Sequence, residues 1–394
     1  MLQPATLAPP DALLGVYRPS GPVFVGGEGS SLIAEDGVRY LDFTSGIAVN
    51  ALGYGHPAVT QAIAQALQRG LIHSSNLFRT RPAAELAAWL VEHSFAERVF
   101  FCNSGAEANE GALKFARRWA RAQGGEQKTE IVAFRGGFHG RTIGALAATD
   151  RPAYQAPFRP LMPGVRFGEV GDVARADELI RPDRTAAVFI EPIQAEGGVL
   201  PVPEGFLKAL RYLCDEAEAL LVFDEVQVGL GRTGTLWGHE PAGVTPDLLT
   251  LAKPLAGGLP MGAVLLSGRV AAAVQPGDHA TTFGGGPLVA SAALATVRTL
   301  GEPAFLAEVR RQGELLADLL GRLALTSAKV KDVRGRGLLW GVELDASAAD
   351  VVARALEAGL LLCTAGPNVV RVLPPLVVSD AELERGVALL EACL

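Results

Sequence analysis

Two short apolar runs constrain this chain more than anything else in it. Ala219 to Phe223 is cut off by Asp224 and Glu225, and Leu248 to Ala252 is cut off by Lys253. Runs of this length, bounded by charge and then by glycine, fit strands buried on both faces of a mostly parallel sheet covered by helices. In such a sheet ligands sit beyond the carboxyl ends of the strands, so Asp224 and Lys253 are expected to face one crevice. An acid and an amine are thereby offered to the same ligand.

A lysine held in a partly desolvated pocket loses some preference for its charged form and becomes a usable nucleophile and proton carrier. Pyridoxal phosphate uses such a lysine as its Schiff-base partner, with an aspartate keeping the pyridine nitrogen protonated. Either residue alone is better explained as a strand cap or half of an ion pair. Other stretches of the chain decide between the two.

FFCNSGAEANEGALKFARRWARA carries a capping box, Ser104 with Glu107, and a helical stripe of Leu113, Ala116 and Ala120. A helix start of this kind presents free N–H groups and the positive end of the dipole, which suits a phosphate. IVAFRGGFHGRT runs from an apolar strand into a Gly-rich turn, where Phe138 offers a flat face for a planar ring. Arg141 offers a planar fork able to grip a carboxylate. AAVFIEPIQAEGGV is a further buried strand ending in Glu191 and then Glu196. GLGRTG, Gly229 to Gly234, matches G-x-G-x-x-G, yet Asp-Glu-Val-Gln-Val separates it from the strand and no helix start follows, so a dinucleotide loop is not expected.

In this order the motifs resemble those of the class III aminotransferases, and FDEVQVGLGRTG with TLAKPLAGGLP is similar to their acetylornithine branch in arginine biosynthesis. The resemblance spans about Tyr17 to Leu390. It implies the type I aminotransferase fold, α/β, with a mostly parallel sheet in a large domain plus a smaller α/β domain. It also implies pyridoxal 5'-phosphate as cofactor and a homodimer with shared active sites. Lys253 and Asp224 are the implied catalytic pair. Ser104, Gly105 and Ala106 match the phosphate motif, with Ala106 where a threonine is usual. Phe138 stacks on the ring with His139 beside it, Val226 packs beneath it, and Gln227 reaches its phenolic oxygen. Thr282 resembles a threonine that reaches the phosphate of the other subunit. Arg141 is implied to hold the distal carboxylate of the donor, and Arg371 the α-carboxylate of 2-oxoglutarate, with Glu196 covering Arg371 until the keto acid arrives. Ala195 and Gly286 also depart from the family pattern. Ile47 stands where ornithine aminotransferases carry an aromatic residue, which leans away from free ornithine, and Tyr17 falls near the implied substrate mouth.

The implied reaction moves the δ-amino group of N2-acetyl-L-ornithine to 2-oxoglutarate. A carrier-linked aminoadipate semialdehyde in lysine biosynthesis, or an isomerisation like that of glutamate-semialdehyde aminomutase, are the alternatives. The expected divisions are an N-terminal segment, 1–48, packing with the small domain through short antiparallel strands, a large cofactor domain, 49–289, and a small C-terminal domain, 290–394. With 394 residues, 49% of them apolar, the chain can bury large cores, and its net charge of −7 argues against a nucleic-acid surface. The most apolar stretch is broken by Pro254, Gly257, Gly258 and Pro260, against a membrane span. Cys102, Cys214, Cys363 and Cys393 are widely spaced, which suggests reduced thiols in the cytoplasm and no metal site.

Overall fold

A computed structural model describes residues 13–17 and 21–394. Its largest sheet has seven strands in the order Arg98–Cys102, Gly262–Leu266, Leu248–Leu251, Leu220–Asp224, Thr185–Ile190, Glu130–Phe134 and Val165–Gly168. The two runs from which the sequence was read are therefore adjacent parallel strands, with Asp224 opposite Thr250. Asp224 is the last residue of its strand rather than the first beyond it. Thr185–Ile190 and Leu220–Asp224 are buried at every position, as strands covered on both faces must be.

One strand breaks the parallel pattern. Gly262–Leu266 runs antiparallel to both neighbours. It is reached from Lys253 through a single 3₁₀ turn and Gly257–Pro260, a connection far too short for a crossover helix. The helix Gly105–Ala122 packs on the sheet and buries Leu113, Ala116 and Ala120 as the stripe predicts.

Val330–Arg336, Leu339–Leu344, Val369–Val372 and Cys363–Thr364 form a separate antiparallel sheet flanked by Pro303–Thr326 and Ala348–Glu357. Near the N-terminus Phe24–Glu28, Ser31–Ala34 and Arg39–Asp42 make the expected antiparallel strands. Their sheet is completed by Leu360–Leu361, which runs parallel to Arg39–Asp42, so the two ends of the chain share a sheet. Among the described residues no helix is long and apolar enough to cross a membrane.

The GLGRTG segment is an arginine latch rather than a nucleotide loop. Arg232 is buried and donates hydrogen bonds to the carbonyls of Leu338 and Pro374, tying the turn to two distant segments.

Candidate active site

A cleft of about 440 Å³ opens beyond the carboxyl ends of the central strands. Asp224 enters it from one strand end, and Lys253 from the next, two residues after Leu251. Ser104, Gly105 and Ala106 reach it from the start of the Gly105–Ala122 helix, Phe138, His139 and Arg141 from the turn after Glu130–Phe134, and Val226 and Gln227 from the turn after Asp224.

Asp224 is 4% exposed, so its carboxylate needs partners. Asn109 Nδ2 donates to Oδ2 at 2.7 Å, His139 Nδ1 is hydrogen-bonded to the same oxygen at 2.8 Å, and the Val226 N–H donates to Oδ1 at 3.0 Å. Asn109 is itself oriented by Thr250 Oγ1, which donates to its Oδ1 at 2.8 Å from the neighbouring strand. Burial alone would lower the pKa of His139. The Asp224 hydrogen bond and the charges of Asp224 and Glu191 outweigh it, so His139 titrates above its ordinary value. Glu191, also buried, is pushed up to about 7 by desolvation and by Asp224. It accepts from the N–H groups of Phe138 at 2.8 Å and Ala195 at 3.2 Å, which ties the cleft turn at Phe138 to the turn at Ala195.

Lys253 is half-buried, and its φ of 21° is a strained value for a residue with a side chain. Burial lowers its amine pKa to about 8; Arg371 adds to the shift, while Glu196, Asp224 and Glu191 oppose it. A substantial fraction of this amine is therefore neutral near physiological pH.

Arg371 is 1% exposed, on an interior strand of the antiparallel sheet. Its Nη1 donates to Glu196 Oε1 at 2.5 Å and to Gln227 Oε1 at 2.8 Å. Gln227 Nε2 donates in turn to Glu196 Oε1 at 3.4 Å. Burial would raise the pKa of Glu196, but the charges of Arg371 and Lys253 bring it below the usual carboxylate value. Gln227 thus joins a three-residue cluster that the sequence reading, which placed it on the cofactor, did not contain.

Arg141 is exposed at the cleft, its guanidinium carbon 3.4 Å from the centre of the Tyr154 ring and 5.8 Å from that of Phe138. Arg371 and Glu196 do not line the cleft but bond to its lining residue Gln227, whereas Thr282 lies apart, exposed in a separate depression with His73, Asn76 and Leu77. Its neighbour Thr281 is tied to the cleft residue Asn103, whose Nδ2 donates to Thr281 Oγ1 at 3.2 Å. Tyr17 is exposed and lines no part of the cleft. Asn109 and Tyr154 escaped the sequence reading. The first had a usable signal, a polar residue between Ala108 and Ala112 on the buried face of its helix.

The residues present fit pyridoxal phosphate. A Cβ on Gly105 would lie 2.6 Å from Val226 Cγ1, so only glycine lets the helix start close against the cleft floor. That floor, a desolvated amine, a buried carboxylate and an aromatic face converge on one cavity, the equipment of an enzyme that binds an aromatic aldehyde phosphate.

The class-III aminotransferase family profile matches residues 18–394, and the chain belongs to that family of pyridoxal-phosphate-dependent enzymes. It is 50% identical to the mitochondrial acetylornithine aminotransferase of Alnus glutinosa, covering 97% of this chain and 85% of the relative. It is 45% identical to the succinylornithine transaminase of Yersinia pseudotuberculosis, covering 95% and 93%. Among solved structures it resembles the N-acetylornithine aminotransferase of Stenotrophomonas maltophilia K279a, with a TM-score of 0.83, 40% identity and coverage of 95% and 96%. It also resembles the ornithine aminotransferase of Toxoplasma gondii, with a TM-score of 0.92, 32% identity and coverage of 97% and 92%. The fold is that of the type I aminotransferases.

Proposed function

We propose that this enzyme transfers the δ-amino group of N2-acetyl-L-ornithine to 2-oxoglutarate, giving N-acetylglutamate 5-semialdehyde and glutamate. The observation that carries this reading is the pair of cations flanking Lys253 and Asp224: Arg141 open at the cleft, Arg371 covered by Glu196. A donor with one distal carboxylate needs one anchor. An acceptor with two carboxylates needs both. The names of relatives at 45–50% identity support an N-acylated ornithine as donor.

Bound pyridoxal phosphate supplies the electron sink that acidifies the C–H bond beside the transferred nitrogen. Lys253 and Asp224 would hold it from the two strand ends, and the N–H groups at Ser104 to Ala106 would receive its phosphate. Phe138 and Val226 would supply apolar surface for its ring, with His139 supporting Asp224. Arg141 grips the donor's α-carboxylate, so the δ-carbon rather than the α-carbon reaches Lys253. The neutral Nζ of Lys253 would then take the proton from that carbon and deliver it to the carbon on the other side of the transferred nitrogen. In the return half, Glu196 releases Arg371 to the α-carboxylate of 2-oxoglutarate, and Gln227 keeps hold of Nη1 during the exchange.

Exposed Thr282 shares a depression with exposed Leu77 and is followed in the chain by exposed Phe283, apolar surface that supports pairing with a second copy and a shared site. Free, widely separated cysteines support a reducing compartment such as the cytoplasm. Divisions near residues 48 and 289 are part of the same reading.

An amino-donor screen with 2-oxoglutarate tests it, with glutamate formation as readout. N-acetylornithine should be the best donor. Turnover independent of 2-oxoglutarate, or preference for free ornithine or a carrier-linked aminoadipate semialdehyde pair, would overturn it.

A further inference from the structure

The geometry points to Tyr154 as a positioning residue that makes Arg141 a selective receptor for a carboxylate; this rests on the role of Arg141 proposed above. The contacts of the Arg141 guanidinium among the described residues are with rings, its carbon lying 3.4 Å from the centre of Tyr154 and 5.8 Å from that of Phe138. A face-on ring attracts the cation without consuming its N–H groups and without neutralising it. The planar edge, with its five donors, is left for a ligand. Arg371 shows the contrast, because a carboxylate neighbour offsets its charge and occupies its Nη1.

Tyr154 is built to hold still. It sits in the short helix Pro152–Gln155. Gln155 Nε2 donates to the carbonyls of Leu146 at 3.1 Å and Thr149 at 2.8 Å, and Arg151 Nη2 donates to the Glu196 carbonyl at 2.9 Å. The helix that carries the ring is thus fastened to the Leu146 and Thr149 carbonyls and to the Glu196 backbone, while the ring remains 37% exposed, so its removal leaves a surface notch rather than a core cavity. An exposed arginine on a flexible stem otherwise samples many rotamers, and ordering it falls on substrate binding. A stacked guanidinium is ordered before the substrate arrives.

The test compares N-acetylornithine with its methyl ester, which differs only in the carboxylate, in the wild-type holoenzyme and in Tyr154→Phe, Tyr154→Leu, Tyr154→Ala and Arg141→Ala. The wild type should favour the acid. Tyr154→Leu and Tyr154→Ala should each cut that preference about ten-fold through KM for the acid, with kcat and the ester nearly unchanged. Tyr154→Phe, which keeps the ring face, should match the wild type within about two-fold. Preference kept in both the Leu and Ala variants, or rescue by Leu as full as by Phe, overturns the assignment of Tyr154 alone. Preference unaltered in Arg141→Ala, or a wild type indifferent to the carboxylate or inert toward both compounds, overturns the underlying reading and this inference with it.

Discussion

Removing the Glu196 carboxylate should make 2-oxoglutarate bind more tightly while leaving the resting protein less stable. In the structure Arg371 Nη1 holds Glu196 at 2.5 Å and Gln227 at 2.8 Å, Nη2 reaches only the Thr364 carbonyl at 3.4 Å, and Nε has no partner. Among the described residues Glu196 is thus the one carboxylate bonded to this buried cation. A hydrogen bond between charged groups contributes about 1.5–3 kcal/mol. An incoming carboxylate must displace Glu196 before it gains the same contact, so wild-type affinity is lowered by about that amount. In Glu196→Ala the obstacle is gone. Taking about 2 kcal/mol, the dissociation constant of 2-oxoglutarate should fall about thirty-fold. The resting variant carries an uncompensated guanidinium and should unfold at lower temperature, with saturating 2-oxoglutarate restoring more stability than it adds to the wild type. Calorimetric titration and thermal unfolding read both effects without turnover. Unchanged affinity, or affinity lost in step with stability, would show that Glu196 does not cover the acceptor's anchor.

Replacing Lys253 with Ala should abolish turnover and the visible imine absorbance of the holoenzyme, and retention of either signal would place the chemistry elsewhere. In the cofactor-free protein, the folded state holds the Lys253 amine at about 8 against 10.5 for a free lysine, so it sheds its proton first. Stability should therefore rise with pH between those values; Lys253→Met should lack that contribution, so the difference between the two denaturation curves should show the rise, and two parallel curves would refute the desolvation. Gly105→Ala places a Cβ 2.6 Å from Val226 Cγ1, so pyridoxal phosphate affinity should fall at least about ten-fold and partly recover on adding Val226→Ala, as followed by absorbance titration.

The parallel core and its two functional strand ends were legible because their signals are local: an apolar run, a charge, a glycine. The capping residue Ser104 was legible for the same reason. It accepts from the Glu107 N–H at 3.2 Å, though the carboxylate of Glu107 turns to the N–H of Asn103 instead of closing the box on Ser104. What stayed hidden depends on segments brought together by folding. Nothing in VQVG says that Gln227 will meet Arg371 from the far sheet. The antiparallel course of Gly262–Leu266 was equally hidden, because a buried strand reads the same in either direction.

The two arginines show how neighbours, rather than residue type, divide the work in the proposed cycle. A ring beneath Arg141 leaves its charge and donors available, which suits an anchor needed in both half-reactions. A carboxylate against Arg371 makes that anchor conditional, available only to a ligand that can replace Glu196. The two devices are physically joined, because Arg151, three residues before Tyr154, holds the Glu196 backbone at 2.9 Å. The backbone of Glu196 is fixed by this contact, so exchange at Arg371 falls to rotation of the Glu196 side chain, a motion small enough to occur without disturbing the stacked cation across the cleft.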